Sequence, residues 1–313
     1  MSKNMIQFQK GLSLTDFFEQ YGNEDTCRQA LFRLRWPEGF RCPECGNETG
    51  CFLPSRQLYQ CHHCHKQTSL TAGTIFHGSK LALTKWFLAI YLLTQRKKSL
   101  SALQLSRDLG VNYDTAWKLK QKLMQVMLER QQPHCLGGTV EMDDAYLGGE
   151  RAGKRGRGSR NKIPFIAAVE TQDGNPMKIH LRRVKGFRKA CIKAYAKQSL
   201  RPGSLVFSDG LNCFTGIEAA GCHHIPIPTG GGRPSPYQYT FKWVNTMLGN
   251  VKNALTGTFH AVREKHAPRY LAEFEYRFNR RFDLPAMIDR LIYAGLRTPP
   301  MPYRLLKMAE VYG

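Results

Sequence analysis

Residues 139–147, with the sequence TVEMDDAYL, form the first of four strand-like runs that decide the fold of the larger part of the chain. The other three are PFIAAVE (164–170), MKIHLRRV (177–184) and SLVFSD (204–209). Helix-like segments alternate with these runs, and this alternation is typical of mixed α/β domains. We therefore predict an α/β domain that begins close to residue 136.

The charge of the chain is strongly unbalanced. Its 313 residues include 46 Lys and Arg against 24 Asp and Glu, which gives a formal net charge of +22. Such an excess is more than solubility requires, and it indicates a polyanionic partner such as nucleic acid. Two tracts, 151–162 and 178–201, carry much of this charge. A merely solvated basic surface is the alternative interpretation of both tracts.

The longest apolar run, Trp86 to Leu93, is too short to cross a membrane. The N-terminus has no continuous apolar signal core. These features predict a cytoplasmic, soluble protein that does not bind membranes.

Composition divides the chain into five regions. Helical spacing between residues 12 and 36 ends at Pro37, and the next stretch is rich in Cys, Gly and Pro. The predicted regions are an N-terminal helical segment (1–39), a metal-binding module (40–72), a helical DNA-binding region (80–132), the α/β domain (136–290) and a C-terminal tail (291–313).

Two Cys-x-x-Cys pairs predict a structural zinc site. Cys42 and Cys45 precede Cys61 and Cys64, with fifteen residues between the pairs. Four thiolates on two tight turns complete the tetrahedral shell of zinc and leave no open position for water. A redox pair or coincidental cysteines are the alternative. The predicted module is a zinc ribbon.

Residues 99–123, SLSALQLSRDLGVNYDTAWKLKQKL, have the layout of a helix-turn-helix. Apolar residues recur at helical spacing on both sides of Gly110, which permits the turn. The second helix has a basic, amide-bearing face, and such side chains meet phosphates and base edges in a major groove. A plain helical hairpin with a solvated lysine face is the alternative. The predicted DNA contacts of this segment are Asn112, Tyr113, Lys118, Gln121 and Lys122.

The few acidic residues are informative in so basic a chain. Between Gly174 and Ser208 there are nine Lys or Arg residues and no acid, and Asp209 then follows a strand-like run. Asp143 lies in the first strand-like run. Carboxylates among so much positive charge either form salt bridges or hold a cation beside phosphate, and two-metal phosphoryl transfer requires the second arrangement.

A helix over residues 240–255 offers a further candidate ligand. Asn245 and Lys252 fall together on the rim of its apolar side, with Gly249 between them. Gly249 lets a DNA backbone come close, Lys252 meets its phosphate, and Asn245 offers a neutral oxygen to a metal ion. A satisfied buried amide is the alternative for Asn245.

Several motifs occurring in one order resemble the zinc-ribbon insertion-sequence transposases of the DDE superfamily. The resemblance covers roughly residues 12–283, and its motifs are RWPEGFRCPECG, CHHCHKQTSLTAGTIFHGSKLALTKWFLAIYLL, VEMDDAYLGG, FSDG, GTFHAV and YLAEFEYRFNRR. It implies a ribonuclease-H-like fold for the α/β domain, with Asp143 and Asp209 as the first two catalytic positions. Asn245 follows Asp209 after thirty-five residues, the superfamily spacing. The commoner residue there is Glu, and branches of the family have Asn.

The resemblance implies metal-dependent DNA cleavage and strand transfer at terminal inverted repeats. Magnesium, or manganese, is the implied catalytic cofactor, and a homo-oligomer on double-stranded DNA, associated with the nucleoid, is the implied assembly. Whether Glu141, on the strand face of Asp143, assists the metal site stays open, whereas Asp144 is expected on the other face. The further predicted DNA contacts are Arg151, Lys154, Arg155, Arg157, Arg160 and Lys252.

Two other functions compete with this one. One is a DNA-binding regulator that combines the zinc ribbon and the helix-turn-helix with an inactive, domesticated nuclease fold. The other is a nuclease without sequence preference. The transposase and the regulator both predict zinc, basic charge and salt-dependent DNA binding, so these properties cannot decide between them, whereas strand transfer of a cognate end can.

Overall fold

A computed structural model describes residues 10–131, 134–148, 162–228, 240–259 and 262–308. These residues form two compact units. The first contains the described residues up to Val126 together with those from Arg281 onward, and the second runs from Met127 to Arg280. Among the described residues, no helix has both the length and the apolar character needed to cross a membrane.

The helices are α1 (Leu14–Tyr21), α2 (Glu24–Arg35), α3 (Leu83–Gln95), α4 (Ala102–Leu109), α5 (Tyr113–Gln131), α6 (Lys189–Ser199), α7 (Lys242–Thr256), α8 (Ala267–Asn279), α9 (Met287–Leu296) and α10 (Tyr303–Met308). The strands are β1 (Gly50–Leu53), β2 (Leu58–Cys61), β3 (Gln67–Ser69), β4 (Thr139–Leu147), β5 (Ile163–Gln172), β6 (Asn175–Arg183), β7 (Leu205–Asp209) and β8 (His223–Ile227). Two short 3-10 segments cover Asn212–Ala220 and Glu264–His266.

The first unit is built on packed helices. Aromatic rings join α1 to α3, with Phe17 and Tyr91 at 4.6 Å and Tyr21 and Phe87 at 5.1 Å between ring centroids. Helix α9 packs against both α2 and α3 through its buried apolar residues. Residues from Arg281 onward therefore belong to this unit, whereas the sequence division placed residues up to 290 in the α/β domain.

The zinc ribbon in this unit is a small antiparallel sheet of strand order β1-β2-β3. Tyr59 on β2 is its packing centre. The ring of Tyr59 contacts Trp36 at 5.2 Å, Phe40 at 5.9 Å and Phe52 at 5.0 Å. This aromatic cluster supplies the ribbon with apolar contacts that a sheet of three short strands lacks.

The helix-turn-helix is present as α4, a turn and α5. Ser101 caps α4 by accepting a hydrogen bond from the backbone N–H of Gln104. Gly110 ends α4 with φ +59°, a left-handed conformation that glycine adopts without strain. Leu105, Leu109 and Ala116 are buried, in agreement with the helical spacing of apolar residues in the sequence.

The second unit contains a five-stranded mixed sheet of order β6-β5-β4-β7-β8. Strands β4, β5 and β6 are antiparallel neighbours, whereas β7 and β8 continue the sheet parallel to β4. This mixed five-stranded sheet, with helices packed against it, confirms the predicted α/β fold class. Strand β8 has no counterpart among the four predicted strands.

Helices flank this sheet. Val140 and Met142 of β4 face a buried cluster with Ile192 of α6 and Phe214 of the 3-10 segment. Helix α7 contacts β4 and β5, and α8 contacts β6. Alternate residues of β4 point to opposite faces, so Glu141 and Asp143 face away from the α6 cluster.

Glu24 links α2 to the N-terminus of α3. Its carboxylate accepts hydrogen bonds from the backbone N–H of Leu83 at 3.1 Å and of Thr84 at 2.8 Å. Burial opposes ionisation of Glu24, but these donors outweigh it and the pKa is lowered below its ordinary value of 4.5. Glu24 therefore stabilises the first unit fully above pH 4.5, and this contribution is lost as the pH falls through the lowered pKa.

We predict that Glu24→Gln lowers the free energy of unfolding at pH 7 by about 1 kcal/mol, because charged acceptors at a helix N-terminus are replaced by a neutral one. Urea denaturation at pH 7 and again below the pKa of Glu24 measures the effect, and the difference from wild type is expected to shrink in acid. Glu19→Gln, an exposed acid on α1, is the matched control. A pH-independent difference would contradict this account.

Candidate active site and zinc site

The four predicted cysteines converge in the ribbon. The Sγ atoms of Cys42 and Cys64 lie 3.6 Å apart, those of Cys45 and Cys61 also lie 3.6 Å apart, and all four lie within 4.8 Å of one another. A tetrahedral shell with Zn–S bonds of about 2.3 Å requires sulfur atoms about 3.8 Å apart. The cysteine cluster therefore fits a zinc ion.

Backbone geometry holds the sulfur atoms in place. Gly46 has φ +74°, and its N–H donates to the carbonyl oxygen of Cys42 at 3.0 Å, which closes the first turn. In the second turn, burial opposes ionisation of Cys61, but N–H donors from Cys64 and His63 outweigh it and lower its pKa to about 6. The neighbouring His62, His63 and His65 are exposed.

Parallel pairing brings the two predicted catalytic acids together. Met142 of β4 is paired with Ser208 of β7, so Asp143 and Asp209 are the next residues along the same two strands. One carboxylate oxygen of each lies within 4.8 Å of the other. The two acids are separated by sixty-five residues in the sequence, and the sheet alone makes them neighbours.

Asp144 belongs to the same cluster. One of its carboxylate oxygens also lies within 4.8 Å of those of Asp143 and Asp209. The prediction that Asp144 is directed away from Asp143 was therefore wrong. The pairing of β4 with β7 ends at Met142 and Ser208, and β4 continues beyond it. Asp144 therefore has no paired residue of β7 beside it.

The electrostatics of the cluster favour a bound cation. The pKa of Asp143 is raised to about 7, chiefly by burial and also by the like charges of Asp144 and Asp209, whereas the charge of Lys252 acts in the opposite direction. Three carboxylates so close together repel one another, and a divalent cation relieves this repulsion. Oxygen ligands of this kind are those that magnesium and manganese prefer.

Glu141 fixes helix α7 to the strand that carries Asp143. Its Oε2 accepts hydrogen bonds from the backbone N–H of Trp243 at 2.9 Å and of Val244 at 2.8 Å. Burial raises the pKa of Glu141 to about 6, although these bonds partly oppose the shift. Glu141 is thus a helix cap, and its backbone partners lie directly before Asn245.

The outer side of α7 carries the other predicted residues. Asn245, Gly249 and Lys252 are exposed. A Cβ atom at Gly249 would meet no atom within 4 Å, so the helix surface is open there. Helix α7 contacts β4, and the charge of Lys252 acts to lower the pKa of Asp143 on that strand.

Comparison with known proteins agrees with both sites. Residues 135–279 match the ISXO2-like transposase domain, and residues 22–67 match the transposase zinc-ribbon domain. The chain belongs to the zinc-ribbon insertion-sequence transposases of the DDE superfamily. The first match contains the whole carboxylate cluster, and the second contains all four zinc-site cysteines.

A relative in Halobacterium salinarum is described as an uncharacterised protein in transposable element ISH50. It is 26% identical to this transposase over 214 residues, which are 63% of this chain and 70% of the relative. Among solved structures, a Mos1 strand transfer complex gives a TM-score of 0.23 at 12% identity, covering 66% of this chain and 79% of that chain. A pre-cleavage Mos1 transpososome gives 0.21 at 12% identity, covering 66% and 80%.

The structure revises the predicted basic face of the transposase's helix-turn-helix. Asn112 and Tyr113 are exposed, as expected. Gln121 is only 1% exposed, so the prediction of an exposed side chain was wrong there. The Nζ atom of Lys122 donates a hydrogen bond to the carbonyl oxygen of Ile75 at 3.3 Å, and the Nζ atom of Lys118 lies 4.7 Å from the ring centroid of Tyr303.

The remaining predicted residues fall into two groups. Arg151, Lys154, Arg155, Arg157 and Arg160 lie outside the described residues. Glu275, a buried acid of α8, accepts a hydrogen bond from Arg182 of the edge strand β6 at 2.6 Å. Because β5 separates β6 from β4, Glu275 is excluded from the carboxylate cluster.

We predict that Cys61→Ser removes the zinc ion and unfolds the ribbon, because three thiolates hold zinc much less tightly than four. Metal analysis of the purified chain is expected to show stoichiometric zinc in wild type and loss of zinc in the variant. Cys51→Ser is the matched control, since Cys51 is exposed on β1 and lies outside the cluster. Retention of full zinc by the Cys61 variant would refute the four-thiolate site.

We predict that Glu141→Ala destabilises the second unit by about 2 kcal/mol, because two N–H groups at the start of α7 lose their acceptor. Hydrogen exchange at Trp243 and Val244 is expected to accelerate in this variant. Glu141→Gln keeps one acceptor oxygen and is expected to have a smaller effect. Glu218→Gln is the control, since Glu218 is an exposed acid of the same unit. Unchanged exchange in Glu141→Ala would show that α7 is held by other contacts.

Proposed function

We propose that this transposase is active and that it cleaves DNA at terminal inverted repeats and joins the released ends to target DNA by direct transesterification. The observation that carries the proposal is the juxtaposition of Asp143 and Asp209 at adjoining positions of two parallel strands. An inactive regulator has no need to hold like charges so close together, since their repulsion costs stability.

Asp143, Asp209 and Asn245 would hold magnesium, or manganese, in this proposal. The carboxylates form a converged donor set, and the cap made by Glu141 keeps the N-terminal turn of α7 against their strand. When bound, such a metal lowers the pKa of an attacking hydroxyl and stabilises a leaving oxygen. The neutral Asn245 leaves more positive charge on the metal than a Glu would.

The chain's own residues bind and orient the DNA. Lys252 pairs with a phosphate next to the scissile bond, and its charge also favours the ionised form of Asp143. Gly249, one turn before it, presents no side chain and lets the sugar-phosphate backbone approach α7. These contacts are independent of base sequence and position the phosphodiester at the cluster.

The reaction has two steps. Water attacks the phosphodiester at the transposon end, one P–O bond forms, and the bond to the 3′ oxygen breaks to release a 3′-OH. That 3′-OH then attacks a phosphodiester of the target and displaces another 3′-OH, so each step exchanges one P–O bond for another. No nucleotide cofactor is consumed, and no covalent bond to the protein forms.

The other elements supply recognition and neutralise charge in this proposal. The zinc ribbon and the helix-turn-helix read the terminal repeats, with Asn112 and Tyr113 exposed at the start of α5. The net charge of +22 favours DNA over other partners and makes binding dependent on salt. The active assembly is a homo-oligomer that holds two ends, and it works at the nucleoid.

The test uses the full chain with oligonucleotides that carry the inverted repeats flanking its gene. In magnesium or manganese we expect end cleavage and strand transfer by wild type. Asp143→Asn, Asp209→Asn and Asn245→Ala are each expected to reduce product to background while repeat binding, measured by fluorescence anisotropy, is retained. Glu218→Gln is expected to behave as wild type.

Each outcome distinguishes between the candidate functions. Wild-type chain that binds its repeats but yields no product in either metal would support the regulator. Degradation of DNA without a repeat would support the nuclease without sequence preference. Full activity of Asn245→Ala would exclude Asn245 as a ligand while leaving the role of the two aspartates intact.

A further inference from the structure

We propose that Asp144 is a further ligand of the catalytic metal site and supplies the negative charge that the neutral Asn245 does not. This inference rests on the proposed function, because it concerns the same metal site. It assigns a role to Asp144, which the sequence placed on the opposite face of β4 from Asp143 but whose carboxylate lies in the cluster.

The geometry of the cluster carries the inference. Asp143, Asp144 and Asp209 each direct one carboxylate oxygen into a region where all three atoms lie within 4.8 Å of one another. Ligand oxygens of one magnesium ion at about 2.1 Å lie about 3.0 Å apart when adjacent and about 4.2 Å apart when opposite. Three carboxylate oxygens that lie within 4.8 Å of one another therefore fit either one coordination sphere or two adjacent ones.

Backbone contacts orient two of the three carboxylates. The N–H of Asp144 donates to Oδ1 of Asp143 at 2.8 Å, and the N–H of Leu211 donates to Oδ1 of Asp209 at 3.2 Å. Each bond fixes the rotation of one carboxylate. Asp144 thus contributes twice, since its backbone orients Asp143 and its side chain enters the cluster.

The balance of charge explains why a third carboxylate is needed. Asp143 and Asp209 contribute two negative charges, Asn245 contributes none, and Lys252 adds one positive charge that acts on Asp143. This set leaves only one net negative charge to attract divalent cations. Asp144 raises the net charge of the cluster to −2, and charge is the main determinant of affinity between magnesium and carboxylates.

The experiment measures Mn²⁺ binding to the full-length chain without DNA, by electron paramagnetic resonance of free Mn²⁺. Asp144→Asn keeps the shape of the side chain and removes its charge, and we expect its Mn²⁺ affinity to fall by about tenfold or more. Asn245→Asp places a charge on α7 at almost no change in volume. In the double variant Asp144→Asn/Asn245→Asp we expect most of the lost affinity to return.

Controls separate this inference from the proposed function. Glu218→Gln removes an exposed acid of the same unit and is expected to leave Mn²⁺ affinity unchanged. Asp143→Asn and Asp209→Asn are expected to abolish the site, and if they do not, the proposed metal centre itself fails. Wild-type affinity in Asp144→Asn, with binding lost in those two variants, would overturn the role of Asp144 alone. Strand transfer by the same variants is a second readout.

Discussion

The parallel pairing of β4 with β7 is the constraint on which the active site depends. It places Asp143 next to Asp209 although their charges repel, and burial raises the cost of ionising Asp143 further. The hydrogen bonds of a five-stranded sheet and the buried cluster behind it offset this cost. A divalent cation at the site would convert the repulsion into attraction, so metal binding would relieve an arrangement that is unfavourable without it.

The same strand also positions the helix beside the site. Glu141 lies two residues before Asp143 on one face of β4, and it accepts two N–H groups of α7. A shift of β4 would therefore move Asp143 and the start of α7 together. Glu141, whose role the sequence left open, thus links β4 to α7.

The sequence predicted those features that depend on local spacing or on motif identity. Cysteine spacing located the zinc site, and acids within one strand-like run and at the end of another indicated Asp143 and Asp209. It could not predict features that depend on where an element stops or what covers it. Asp144 joins the cluster because β4 extends beyond the last residue that pairs with β7. Two other such features are the burial of Gln121 and the packing of α9 against α2 and α3. None of these has a periodic signal in the chain.

The net charge of the molecule is positive, whereas that of the carboxylate cluster is negative. This difference bears on how the two proposed ligands, the metal ion and DNA, affect each other's binding. In the proposed reaction the net charge of +22 attracts DNA, yet the carboxylate cluster repels the phosphate that would enter it. Lys252 moderates this repulsion, and a divalent cation bound between the carboxylates and the phosphate would remove it. Each ligand therefore lowers the electrostatic cost of binding the other, and because coupling of this kind is reciprocal, metal should bind more tightly when DNA occupies the site.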